Sequence, residues 1–368
     1  MSKPLLIHTE ASRGWGGQEM RTLAEAGWFR SQGYDVELIC PADSRIAPAA
    51  AEQGLVVHHR ELKKGTQLQD FWFCYQLFRE RTPQMVGTHS NIDSRVALGA
   101  AAWAKVPHRF RYRHVSIPVR KSPWNSLIYK KWATSVITTA EMIAEPLRRD
   151  FDLDKSRVRT IATGVKAPEF LIDQDKARLL LCEELSLPTT ARFLGQVSVL
   201  RAWKGHADVM KAFDQVSREF PDYHLVFVGG GHGIDYLPPQ AEALDCGKKI
   251  HFIGHQTDPW PYLRAFDIAT LASTAGEGIP QSGMQAMLAE CAFIGTTVGG
   301  IPEIVQAGEN GLLVSPEAPE ELAKAIRSLL ANPDKRLELI EKARSWATTH
   351  TTLDRMGQAV LEMMDSSH

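Results

Sequence analysis

Short apolar runs alternate with helix-length amphipathic segments along the whole chain, and that alternation constrains the fold more than any other feature. LLIHT, DVELIC, LVVHHREL, MVGTHS, FRYRHV, SVITT and VRTIAT read as strands. Between them lie segments such as QEMRTLAEAGWFRSQG, apolar at helical spacing and closed by a glycine. Strands alternating with helices imply βαβ units and therefore a parallel sheet. The pattern pauses at TGVKAPEFL, Thr163 to Leu171, whose glycine and proline suit a linker. It then restarts with RFLGQVSVL, HLVFVGGG, KIHFIGH, DIATLAS, FIGTTV and GLLV. The expectation is an α/β chain of two doubly wound, Rossmann-like domains, over 1–168 and 169–350, with a C-terminal helix over 351–368. The stretch from Leu337 to Met364 reads as continuously helical.

Bulk properties exclude several classes. A chain of 368 residues is long for one core, which favours two domains. A net charge of −1 argues against a nucleic-acid polyelectrolyte partner. The five cysteines form no CxxC pair, as expected of a reduced, cytoplasmic chain. The most apolar helical stretch, VALGAAAWA, is far short of the roughly 20 residues that a bilayer span needs, so any membrane contact would be peripheral. No HExxH, GxSxG or Walker pattern is present, and no metal-spaced ligand set.

In doubly wound sheets ligands bind beyond the carboxyl ends of the strands, so loops after strands are the places to look. Facing domains would form a cleft there. RGWGGQE follows the first strand; Gly14, Gly16 and Gly17 allow a tight turn into a helix whose N-terminus favours anions. The dinucleotide pattern GxGxxG fails because Glu19 takes the third glycine position, which weakens an oxidoreductase reading. LRAWKGHADVMKAF places Arg201 and Lys204 beside a helix opened by Gly205, a metal-free phosphate clamp or simply two solvated cations. AGEGIPQSGMQAM places Glu277 on a loop before a helix, where it could accept sugar hydroxyls or only favour the helix N-terminus.

From Ser94 to Ala140 there is no acidic residue but nine Lys and Arg, among them Arg109, Arg111, Arg113, Arg120 and Lys121. That field could meet an anionic membrane surface or an anionic acceptor, or be a basic face without a partner. His114, in RHVSIP, stands at a strand end, where a single histidine is more often structural than catalytic.

Taken together and in order, GGQE, RHVSIP, TGV, VSVLRAWKGHADVMKAF, LVFVGGG, GEGIPQSGMQAMLAE and GGIPEIVQAGENGLLV resemble the GT-B-fold, retaining glycosyltransferases of family 4. The resemblance covers nearly the whole chain and is densest from Val197 to Val314. It implies a nucleotide-sugar donor (UDP- or GDP-sugar) with no further cofactor, a glycan or lipid-linked acceptor, and a C-terminal helix that crosses back to the first domain. It places Gly16, Gly17 and Gly230 on donor-facing loops and gives the diphosphate to Arg201 and Lys204. Glu277 would hold the transferred sugar, and the backbone of Gly278, Ile279, Pro280, Gln281 and Ser282 would cradle sugar and phosphate. His114 would lie near the reacting carbon. The family motif has a second glutamate where this chain has Gln285, which would hold the ribose through an amide. Two other readings are a GT-B epimerase and a sugar-nucleotide-binding protein without turnover.

Overall fold

The structure, a computed structural model, describes residues 3–365. Two compact units appear: residues up to Lys166 together with those from Thr351 onward, and Ala167–His350. Among the described residues no helix is long and apolar enough to cross a membrane.

The first unit is built on a seven-stranded parallel sheet. Its strands are β1 (Leu5–Thr9), β2 (Asp35–Cys40), β3 (Val56–His59), β4 (Met85–Thr88), β5 (His108–Arg113), β6 (Ser135–Thr138) and β7 (Val158–Thr160), in the order β3-β2-β1-β4-β5-β6-β7. The order reverses direction between β1 and β4, which opens the crevice where such sheets bind ligands. Side chains of a strand alternate between faces, so β1 feeds two cores. Leu6 joins one with Trp28, Phe29, Phe110 and Tyr112; Leu5 and Ile7 join the other with Cys74, Leu77, Phe78 and Ala97. The helix Gly17–Ser31 ends as its sequence suggests, with Gly33 at φ +90°.

The second unit has a six-stranded parallel sheet: β8 (Arg192–Val197), β9 (Tyr223–Val228), β10 (Ile250–Gly254), β11 (Ile268–Leu271), β12 (Ala292–Thr296) and β13 (Leu312–Val314). Its order is β10-β9-β8-β11-β12-β13, and its reversal lies between β8 and β11.

The tail is not one helix. It breaks between Pro333–His350 and Leu353–Asp365, where the chain returns to the first unit. Two threonines carry the break. The carbonyl of Thr351 accepts the backbone N–H of Val165 at 2.7 Å, and the Thr352 hydroxyl caps the new helix at the N–H of Arg355, 3.1 Å away. The helix Leu353–Asp365 then places Met356, Val360, Met363 and Met364 in the first unit's core. Gly357 lies against the Trp28 indole, whose Nε1–H donates to Asp354 at 2.7 Å.

Candidate active site

At the reversal point of the second sheet, the loops after β8 and β11 are locked together. Gln196, fully buried near the end of β8, donates from Nε2 to the Ser198 hydroxyl (3.1 Å) and the Lys204 carbonyl (2.9 Å). Its Oε1 accepts from the Thr270 hydroxyl (3.4 Å) and the Ala272 N–H (3.3 Å). Gly205, at φ +69°, starts the helix His206–Val216, and a Cβ there would lie 1.8 Å from the Ala272 carbonyl oxygen. Glycine is required on both counts. This brings the Lys204 ammonium onto the Glu277 carboxylate, where the Ser273 hydroxyl also donates. The Glu277 side chain is 7% exposed and that of Lys204 19%, so the pair is sheltered yet reachable. Gly299, at φ +62°, packs under Glu277, and the Gly300 N–H donates to the Gly278 carbonyl at 3.2 Å. Arg201 is exposed, with its guanidinium 5.1 Å from the Trp203 ring centre.

The first sheet carries a row of imidazoles at its own reversal point. His8 lies on β1, His89 just beyond β4 and His114 just beyond β5. Nδ1 of His8 is 3.0 Å from Nε2 of His89, and Nδ1 of His89 is 3.0 Å from Nε2 of His114. Gly87 makes room for this row, since a Cβ there would sit 2.9 Å from Nδ1 of His8 and 3.0 Å from the Tyr112 ring. Burial, reinforced by the Arg21 charge, pushes His8 down to about 4. Burial also holds His89 and His114 well below the usual histidine range, with the neighbouring His114 next in weight for His89 and Arg21 for His114.

Beside the row, at the end of β1, lies Glu10. Its carboxylate accepts from the Ser12 N–H (2.8 Å), the Ser90 hydroxyl (2.8 Å) and the Gln18 amide (2.6 Å). Burial, then the charges of Asp93 and Glu19, raise it to about 7. Such displaced carboxyls gather at functional sites.

Two family models match the chain, "Glycosyltransferase Family 4" over residues 15–167 and "Glycosyl transferases group 1" over 181–346. The chain belongs to the family 4 glycosyltransferases. Among relatives, an uncharacterized glycosyltransferase of Haemophilus influenzae is 29% identical over 335 residues, covering 89% of this chain and 91% of that one. D-inositol 3-phosphate glycosyltransferase of Corynebacterium glutamicum is 29% identical over 240 residues, 60% of this chain but only 56% of the relative's length. The fold matches that of Anabaena HepE in complex with UDP-glucose, with a TM-score of 0.84 and 20% identity over 98% of this chain and 99% of the other. Both sheets of this chain therefore belong to a GT-B architecture.

Within that architecture the structure brings Arg201, Lys204, Glu277 and Gly278 to one strand-end site. Ile279 and Pro280 lead into the helix Gln281–Leu288, with Ser282 in its first turn and the buried Gln285 one turn further. Gly230 belongs to the same rim, where its carbonyl accepts the Leu200 N–H at 2.8 Å. Gly16 and Gly17 open the helix Gly17–Ser31 of the first unit.

The basic face needs correction. Arg109, Arg111 and Arg113 share one face of β5 and turn inward: Arg111 is 2% exposed and Arg113 7%. Their guanidinium groups donate to backbone and side-chain oxygens of neighbouring segments. Arg111 donates to the Thr88 carbonyl (3.2 Å) and the Asn91 side chain (3.0 Å), Arg113 to the Ile117 carbonyl (2.6 Å), and Arg109 to the Trp132 carbonyl (2.7 Å). Arg111 and Arg113 cannot offer charge to a membrane or an acceptor, and Arg109 is half-buried. Arg120 and Lys121 are exposed, as are Arg95, Lys105, Lys130 and Lys131 of the same basic stretch, and Lys121 lies 3.6 Å from Asp150.

Sequence reasoning missed Gln196, Ser273, Glu10 and two of the three imidazoles. The one available signal was polar residues inside otherwise apolar strand runs, as in LLIHTE and MVGTHS.

Proposed function

We propose that the protein is a retaining hexosyltransferase that moves a sugar from a UDP- or GDP-sugar to a glycan or lipid-linked acceptor of the cell surface. The observation that carries this reading is the Lys204–Glu277 pair at the reversal point of the second sheet. A diphosphate arriving beside Gly205 would draw the Lys204 ammonium to its oxygens, with Arg201 as the second cation. Glu277, released from the lysine but still held by Ser273, would then accept hydroxyls of the sugar. As the glycosidic bond breaks, negative charge grows on the leaving phosphate, and preorganised cations lower the barrier. The acceptor's proton would pass to a leaving phosphate oxygen on the same face of the sugar, which retains the configuration. His114, Arg120 and Lys121 would stand on the acceptor side.

The amide of Gln285 suits a ribose diol, since it both donates and accepts. The UDP-glucose bound by the Anabaena protein of the same fold supports a donor of this kind. A thermal-shift series with UDP, GDP, ADP and their sugars tests the reading. A true donor at 100 times its Kd stabilises by about 2.7 kcal/mol, and no response to any of them would sink it. Incubation with donor alone separates transfer, which shows slow hydrolysis, from epimerisation, which returns a changed nucleotide sugar.

A further inference from the structure

We propose that Thr22, acting through His89, fixes the tautomer of His114, so that His114 carries its single ring proton on Nδ1 and keeps Nε2 as an acceptor. The assignment follows from counting protons along the row. Burial beside Arg21 and Arg111 keeps the three rings neutral, so each has one N–H and one lone pair. The Thr22 hydroxyl has one proton, and it is given to the Gln18 carbonyl at 3.0 Å, which can only accept. Toward Nδ1 of His89, 3.3 Å away, Thr22 can therefore only accept. That nitrogen must carry the proton of His89, shared between Thr22 and Nε2 of His114. Nε2 of His89 is then a lone pair, and His8 donates to it from Nδ1.

The order ends on Nε2 of His8, a buried nitrogen without a partner among the described residues, as a bare lone pair. The reverse order would leave a buried N–H orphaned at that nitrogen and would set the Thr22 oxygen against a His89 lone pair. An orphaned donor is the less tolerated fault in a protein interior.

The chemical consequence rests on the function proposed above; the tautomer itself does not. With Nε2 occupied by His89, His114 has no free lone pair for taking a proton from the acceptor hydroxyl. It can act only as a neutral N–H donor, through the nitrogen that His89 leaves open. Thr22 and His89 are thus positioning residues.

Long-range proton–nitrogen NMR spectra of protein labelled with 15N-histidine read tautomers directly, with His114 assigned by the loss of its signals in His114→Gln. Near pH 7 the wild type should show His8, His89 and His114 all neutral and protonated at Nδ1. An Nε2–H form or an imidazolium at His114 would overturn the proposal without recourse to any further variant. Thr22→Val keeps the shape and removes the acceptor, so His114 should shift toward the Nε2–H form. Transfer kcat should fall roughly tenfold, the scale of one lost hydrogen bond, with donor KM unchanged and Thr22→Ser restoring both. A wild-type tautomer in Thr22→Val would refute the control assigned to Thr22 and leave the order to Nε2 of His8 alone. Full transfer by His114→Gln would instead remove its proposed role in transfer and leave the tautomer standing.

Discussion

Replacing Glu10 with glutamine should stabilise the protein above neutral pH and do nothing in acid. In the fold this carboxyl is raised from 4.5 to about 7, first by burial and then by the charges of Asp93 and Glu19. Between these two values the unfolded chain binds fewer protons than the native one at this position. Stability is therefore complete below about 4.5 and is lost as pH rises toward 7. At about 1.4 kcal/mol per pH unit, keeping the ionised group in the fold at pH 8 costs about 3 kcal/mol. Glutamine cannot ionise and is nearly the same size. Its oxygen can still accept from the Ser12 N–H and the Ser90 hydroxyl, and its NH₂ meets Gln18, which needs only to turn its amide. Melting curves of both proteins at pH 4, 6 and 8 provide the assay. The variant should match the wild type at pH 4 and melt higher at pH 8, by about 6–12 °C if the whole 3 kcal/mol is recovered in a unit of this size. An advantage that is equal at all three pH values, or a lower melting temperature at pH 8, would refute the electrostatic reasoning.

Three further outcomes follow from the same geometry. Lys204→Ala should lower kcat/KM by roughly 10² to 10³, as for the loss of one transition-state charge partner; near-wild-type turnover in steady-state kinetics would reject the diphosphate role. Below pH 6.5 the protein should weaken as His8, held at about 4 by burial and Arg21, stays neutral while the unfolded chain takes up a proton. That loss reaches about 3 kcal/mol near pH 4; because Glu10 gains a similar amount over the same range, it is read in the Glu10→Gln background, where an acid titration of stability that stays flat from 6.5 to 4 would contradict it. Gly357→Val should cost about 3 kcal/mol, because a Cβ there would lie 2.1 Å from the Trp28 ring; an unchanged melting temperature would show that the C-terminal helix does not rely on this contact.

The strand runs were legible because buried parallel strands have little choice of composition, and the seven-plus-six pattern reads directly into the two sheets. Lys204 and Glu277 were legible as separate candidates because each follows a strand. Their pairing was not, since it depends on a 73-residue separation closed by Gly205 and Gln196. The helical periodicity did not show the break at Thr351, where the expected division set its C-terminal helix apart, because threonine disturbs a helical pattern only weakly, and the partner that makes it a break, Val165, is remote in sequence. The arginines of β5 misled for a related reason. A charge count cannot tell a strand face that turns inward onto carbonyl oxygens from one that meets water. Histidines at positions 8, 89 and 114 become a row only when β1, β4 and β5 lie side by side.

The return of the helix Leu353–Asp365 to the first unit has a consequence for biosynthesis. Trp28 and Asp354 are 326 residues apart, and a helix made after the whole second unit supplies four methionine and valine side chains to a core whose other members are made before that unit. During translation the second unit emerges complete before the first can close. For that interval the face of the helix Gly17–Ser31 that will bury Trp28 is uncovered apolar surface, a site for chaperone capture or for association between nascent chains. A stop codon just before Leu353 would act on the stability of residues made more than three hundred positions earlier.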